Sequence, residues 1–222
     1  MTDDNRMPLP PSPPILDDPN PKRRYPTRRN RGEGIKSIFS TLAILLVAPL
    51  IAVFLTVFVF QSYQVDGESM ETTLSHNDRL VVWKMPKTWS RITGHAYIPN
   101  RGDIIVFTES SLAQFGQDPG KQLIKRIVGL PGERVVVQNG TLTVYNDDQP
   151  DGFEPDAELP YGDVIKDTPM DGEWTVGEDQ VFVVGDNRSN SLDSRTFGPI
   201  NAGNIVGKLA VRVLPLNEVK KF

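Results

Sequence analysis

From Ser37 to Val65 the chain carries no charged side chain. The centre of this stretch, Ile38 to Phe60, reads IFSTLAILLVAPLIAVFLTVFVF. A helix needs roughly 20 apolar residues to cross about 30 Å of hydrocarbon, and this segment is long enough. Pro49 would break a helix in water but is tolerated within lipid. The stretch therefore predicts one transmembrane helix over 37–62. A buried core helix is the first alternative, and the length and uniform apolarity argue against it. A cleaved secretory signal is the second. Its apolar region would be roughly 7–15 residues long and end at small residues, whereas this one ends in Phe60-Gln61-Ser62-Tyr63.

Charge is distributed unevenly about this stretch. Residues 1–36 hold eight Lys/Arg against five Asp/Glu, and the net charge of −4 leaves −7 for everything after Val65. Basic flanks favour the cytoplasmic side. The expectation is a cell-membrane protein with the lipid bilayer as a partner, residues 1–36 inside, and 63–222 outside. Positive-inside sorting accounts for the basic residues, so no nucleic acid partner is expected. Residues 1–31 contain eight of the 19 prolines and no apolar period, which predicts a disordered tail. The chain has no cysteine and only two histidines, His76 and His95. Thiol catalysis and disulfides are excluded, and no metal-binding spacing occurs. Neither a metal nor another cofactor is expected, so hydrolytic chemistry would fall to hydroxyls, carboxylates or amines.

Beyond the apolar stretch, short runs rich in Val and Ile alternate with turn residues. Candidate strands are Arg79–Trp83, Asp103–Phe107, Gln122–Val128, Arg134–Val137, Thr141–Tyr145, Gln180–Val184 and Ile205–Val213. Asn139-Gly140 signals a hairpin turn. The predicted fold is mainly β, an antiparallel ectodomain behind one transmembrane helix. Asn146–Asp179 holds 12 Asp/Glu and a single Lys. It is read as part of an acidic, loop-rich insertion over about 138–179, a surface excursion without chemistry.

Four local patterns bear on chemistry, each weak alone. Gly67-Glu68-Ser69-Met70-Glu71-Thr72-Thr73-Leu74 offers a hydroxyl nine residues past Phe60, hence within about 30 Å of the membrane edge. In Gln122-Leu123-Ile124-Lys125-Arg126-Ile127, alternation points Lys125 with Leu123 and Ile127, and Arg126 the other way. Desolvation there would lower the lysine pKa, and a neutral amine can take a proton from a serine. A lysine whose charge reaches water is the alternative. Gly185-Asp186-Asn187-Arg188-Ser189-Asn190-Ser191-Leu192-Asp193-Ser194-Arg195 is turn-like and dense in polar groups. Asp193 and Arg195 could pair there, and as an exposed pair would contribute ~1 kcal/mol or less. Arg101-Gly102-Asp103 can be read as an adhesion motif, or more simply as a tight turn opening a strand.

Taken in order, these blocks resemble the bacterial type I signal peptidases, or leader peptidases. That family carries Ser-Met-x-Pro-Thr-Leu, Arg-Gly-Asp-(apolar)3, Lys-Arg-(apolar)2-Gly-Leu-Pro-Gly-Asp and Gly-Asp-Asn-x-x-x-Ser-x-Asp-Ser-Arg boxes. Ser69–Leu74, Arg101–Phe107, Lys125–Glu133 and Gly185–Arg195 match them in register. The resemblance implies a membrane-bound serine endopeptidase that cuts signal peptides from exported preproteins, with Ser69 as nucleophile and Lys125 as general base. It implies that Ser191 orients the Lys125 amine, that Asp193, Arg195 and Arg126 brace the site, and that the Ser69 N–H serves the oxyanion. It assigns substrate pockets to Tyr63, Val65, Met70, Leu74, Leu80, Val106, Leu123 and Ile124, accepting small side chains at the first and third positions before the cut. Substrate would add as a strand beside Tyr63–Asp66 and Gln122–Ile124. Two positions depart from the family, Thr72 for Pro and Glu133 for Asp, and Gly67 stands where some members carry a hydroxyl for the oxyanion and others carry Gly. Two rivals stand beside this reading. A self-cleaving repressor would share the Ser/Lys logic but lack the apolar helix. A membrane-tethered β-fold protein could bind or scaffold without catalysis.

Overall fold

The computed structural model describes residues 31–84, 94, 97–118, 120–162, 165 and 167–222. The Pro-rich tail through Asn30 and His95 lie outside them. The chain divides into two units, Met1–Leu46 and Val47–Phe222.

Helix α1 (Arg31–Phe54) passes through Pro49 and continues as a π-helical turn, Leu55–Val59. Ser40–Val59 is long and apolar enough to cross a membrane. Leu45, Leu46 and Leu50 are 64–69% exposed, and an apolar surface so exposed suits lipid rather than water. The helical run starts before the predicted 37–62 and ends at Val59, three residues short of its far end. Strand β1 (Phe60–Gln64) starts at Phe60, because polar Gln61 and Gln64 allow the chain to turn from lipid-type packing to a sheet edge.

The second unit carries the sheets, and the mainly antiparallel β fold stands. Strands β2 (Arg79–Trp83), β3 (Ile104–Thr108), β4 (Gln122–Gly129), β8 (Gln180–Val184), β9 (Ile200–Asn201), β10 (Ile205–Leu214) and β11 (Lys220–Lys221) join β1 in one sheet of order β1-β2-β10-β3-β4-β8-β9, with β11 on β10. Every pairing is antiparallel. A second sheet has the order β6-β5-β7, from β5 (Arg134–Gln138), β6 (Thr141–Tyr145) and β7 (Gly172–Thr175). The β5–β6 turn has positive φ at both Asn139 and Gly140, as the hairpin signal required.

The apolar residues of β8 serve both faces. Val181 and Val183 pack with Ile105, Phe107 and Ile127. Phe182 and Val184 pack with Val128, Val135, Val144 and Val176. A strand covered on both sides needs a continuous apolar run, which is how VFVV reads. At Gly129 the two sheets approach so closely that a Cβ would lie 2.7 Å from Val135 Cγ2 and 2.9 Å from Phe182 Cβ.

The acidic stretch is more than a surface excursion. It includes β7, whose Trp174 ring lies 5.1 Å from that of Phe182, and short helix α2 (Pro155–Glu158). Apolar Phe153 and Trp174, spaced among carboxylates, supply the burial that its average composition hides.

Candidate active site

Ser69 lies in the turn between β1 and β2. Val65 N donates to Asp78 O at 2.9 Å and Asn77 N to Val65 O at 2.9 Å, fixing the two ends of that turn. Met70 and Leu74 are fully buried with Val65, Leu80, Ile104 and Leu209, so apolar anchors on either side hold the serine in place. Thr73 N and Leu74 N both donate to Met70 O, at 2.9 and 2.8 Å. Arg212 Nη1 donates to Thr73 O at 3.2 Å. These contacts hold the turn although Thr72 stands where the family's boxes carry Pro. Gly67 has φ +109° with open space about it. Backbone strain there, not lack of room, disfavours any hydroxyl-bearing residue.

Lys125 enters from β4, which pairs with β3 and β8 on its two edges. Its amine donates to Ser69 Oγ at 2.7 Å and to Ile124 O at 2.9 Å. The residue is only 2% exposed. Burial lowers its pKa from 10.5 to about 8, against the opposing pull of Asp193 and Asp186. No described residue accepts a hydrogen bond from the Ser69 N–H. A hydroxyl in contact with a buried amine of lowered pKa is an arrangement capable of nucleophilic chemistry.

A cleft of about 630 Å³ opens beside this pair, lined by Tyr63, Val65, Leu80, Val106, Leu123 and Ile124. Met70 and Leu74, also expected in the pockets, are buried in the cluster with Val65, Leu80, Ile104 and Leu209 and are not among the lining of this cleft. Asp66, Glu68, His76, Gln117, Lys121 and Asn190 also line it. Of these, the sequence assigns no role to Gln117, Lys121 and His76. For His76 alone a signal existed, its place just after the first box. Its Nδ1 accepts from Gly67 N at 3.2 Å.

Short helix α3 (Ser194–Phe197) begins at Asp193, whose side chain caps it. Asp193 takes Arg195 through Nε at 2.9 Å and Nη2 at 2.8 Å, and receives Gly185 N at 3.0 Å. Both side chains are buried, at 0% and 3% exposure, rather than exposed. Removing one partner of such a pair costs about 3–5 kcal/mol, not the ~1 kcal/mol of a surface pair. Arg126 does not join Asp193. It grips Asp186 at 2.8 and 2.6 Å, an acid the sequence reading left in the turn. Ser191 Oγ is buried without a hydrogen bond, and Ile124 O takes the amine contact expected of it. Arg101 turns inward to Val128 O and, at 2.5 Å, to Glu133, so Arg-Gly-Asp is a turn and not an adhesion loop. Burial raises the Glu133 pKa, but hydrogen bonds from Arg101, Asn146 and Leu130 N outweigh it and leave that pKa lowered.

Residues 38–214 match the family described as signal peptidase, peptidase S26. The chain belongs to that family. It is 38% identical over 182 residues to a probable signal peptidase I-1 of Synechocystis sp., covering 82% of this chain and 85% of that one. It is 34% identical over 224 residues to a signal peptidase I of Leptolyngbya laminosa, covering 99% and 96%. A crystal structure of a signal peptidase I from Enterococcus faecalis is 28% identical and covers 51% of this chain and 98% of its own, with a TM-score of 0.39. Membership makes the chain a signal peptidase I-type serine endopeptidase, and the rival readings of a repressor or a non-catalytic scaffold fall away.

Proposed function

We propose that this signal peptidase removes N-terminal signal peptides from exported preproteins by a Ser69/Lys125 dyad. The reading rests on one observation above all: the 2.7 Å contact between Lys125 Nζ and Ser69 Oγ, made by an amine whose burial brings its pKa to about 8. In the neutral form that amine accepts the Ser69 proton as Oγ attacks the scissile carbonyl. The negative charge forming on the carbonyl oxygen is met by the Ser69 N–H. The resulting ammonium returns its proton to the departing amine, leaving an acyl-serine. Water, deprotonated by the same lysine, then releases the signal peptide. Arg195 and Asp193 fix Gly185, and Arg126 binds Asp186, so the support residues act by charge balance around the amine.

Tyr63, Val65, Leu80, Val106, Leu123 and Ile124 give the cleft an apolar wall. A peptide ending in small side chains would lie there as an added strand beside β1 and Gln122–Ile124, the part of β4 that β8 leaves unpaired. The helix from Ser40 to Val59 is the membrane anchor, with residues 1–36 cytoplasmic and the peptidase unit outside, as the basic residues before it favour. Protease added outside spheroplasts should then digest the β-rich unit and spare the tail; the reverse pattern would overturn the orientation.

The dyad is tested with a signal peptide substrate and three variants. Ser69→Ala and Lys125→Ala should each abolish cleavage with the fold intact. Lys125→Arg should be equally inactive, because a guanidinium stays protonated. Near wild-type turnover in any of the three would rule the dyad out.

A further inference from the structure

Three buried arginines stand behind the Ser69–Lys125 contact, and the acidic segment between β6 and β8 closes off each of them. Arg126 Cζ lies 4.2 Å from the centroid of the Tyr161 ring. Arg188 is held by Asp156 through both ends of its guanidinium, at 2.7 Å from Nη2, and Thr168 Oγ1 takes Nη1 at 2.6 Å. Arg195 Nη1 donates to Pro169 O at 3.0 Å.

The inner sides of two of these arginines meet groups that adjoin the dyad. Arg126 holds Asp186, one of the two acids whose charge acts on Lys125. Arg188 Nε donates to Gly185 O at 3.1 Å. Gly185 packs so closely on the nucleophile that an added Cβ would lie 2.3 Å from Ser69 O. Two continuous chains of contact result, Tyr161–Arg126–Asp186 toward the base and Asp156–Arg188–Gly185 toward the nucleophile.

We propose that Tyr161 and Asp156 are positioning residues for signal peptide cleavage, holding Arg126 and Arg188 and through them the surroundings of Lys125 and Ser69. The proposal rests on the Ser69/Lys125 reading. The working part of Tyr161 is its ring face. Its hydroxyl is buried with no hydrogen bond, and burial raises its pKa far above the ordinary range, with Asp156 adding to the rise and Arg188 and Arg126 opposing it. A cation–π contact gains strength when it is desolvated, and the Arg126 side of this one is only 5% exposed.

The charges around Lys125 give the sign of the effect. Burial lowers its pKa, Asp193 and Asp186 raise it, and Lys121 lowers it. Arg195 and Arg126 are the ion-pair partners of those two acids. If Arg126 swings out, the charge on Asp186 is left unbalanced and Lys125 keeps its proton to higher pH. Without the Tyr161 ring the acid limb of the pH–rate profile should therefore move upward.

The test uses the full chain in detergent and measures kcat and KM on a signal peptide substrate across pH. Tyr161→Leu should shift the acid limb upward by roughly half a pH unit or more. At neutral pH its kcat should fall about threefold to tenfold with KM nearly unchanged, the pattern of a lost transition-state interaction. Tyr161→Phe should restore both. Asp156→Asn should lower kcat in the same way, and it decides the matter if Tyr161→Leu does not fold. A folded Tyr161→Leu or Asp156→Asn enzyme with the wild-type kcat and profile would overturn the proposal, as would a loss confined to KM. Ser69→Ala is run alongside: its inactivity keeps the dyad standing whatever the insertion variants do, and its activity would refute the dyad itself.

Discussion

Replacing Lys125 by Met should make this enzyme inactive and, at neutral pH, more stable. A pKa lowered from 10.5 to about 8 means that the folded state resists carrying the ammonium. One pKa unit corresponds to 1.36 kcal/mol, so the destabilisation below pH 8 is roughly 3 kcal/mol. Met has similar bulk and no charge, but loses the contacts to Ser69 Oγ and Ile124 O, worth about 1 kcal/mol each. A net gain of roughly 1–2 kcal/mol follows near pH 7. Between pH 8 and 10.5 the unfolded chain binds more protons at this site than the folded one, so wild-type stability gains from rising pH through that window. The advantage of Lys125→Met should shrink across it by about 3 kcal/mol and reverse sign at the top. Urea unfolding of both proteins in detergent, followed by tryptophan fluorescence at a series of pH values, measures this difference directly. A difference that stays flat with pH, or grows, would refute the assignment of a desolvated amine.

Two further substitutions probe the frame around the dyad. Gly185→Ala would place a Cβ 2.3 Å from both Ser69 O and Ser191 Oγ; the main chain of Ser69 must shift, and kcat should fall by about 10²-fold, since small displacements carry such costs. Wild-type kcat in that variant would show that the close approach is immaterial. Asp193→Asn leaves Arg195 buried without a charged partner, and chemical denaturation should show a loss of about 3–5 kcal/mol. A loss below about 1 kcal/mol would mean that the pair behaves as an exposed one.

Much of the fold could be read from local pattern, and the exceptions have physical causes. RLVVW, TLTVY and QVFVV form strands over the residues that the Val-rich runs marked out. Strand β1 was hidden because FQSYQ follows an apolar helix without a turn residue between them. Strand β7 was hidden because GEWT is short and sits among carboxylates; its Trp174 finds Phe182 only in the assembled structure. At the site, alternation along β4 placed Lys125 with Leu123 and Ile127, and the residue is indeed buried beside Ser69. The pairing of Arg126 with Asp186, 60 residues apart, has no local signal. The family resemblance assigns Met70 and Leu74 to pockets, and the structure buries both with Val65 and Leu80. Linear spacing does not reveal which side of a turn faces a cleft. The acidic segment misled most, because average charge suggests solvation while Tyr161 and Asp156 reach buried arginines.

The pH dependence of kcat/KM on a signal peptide substrate tests the central claim most directly. If Lys125 acts as the base, activity rises with pH through an apparent pKa near about 8, and this limb persists when His76 and His95 are both replaced by Asn. A limb near ~6.5 that vanishes in the folded histidine variant would contradict the account, because the proton from Ser69 would then be passing to an imidazole.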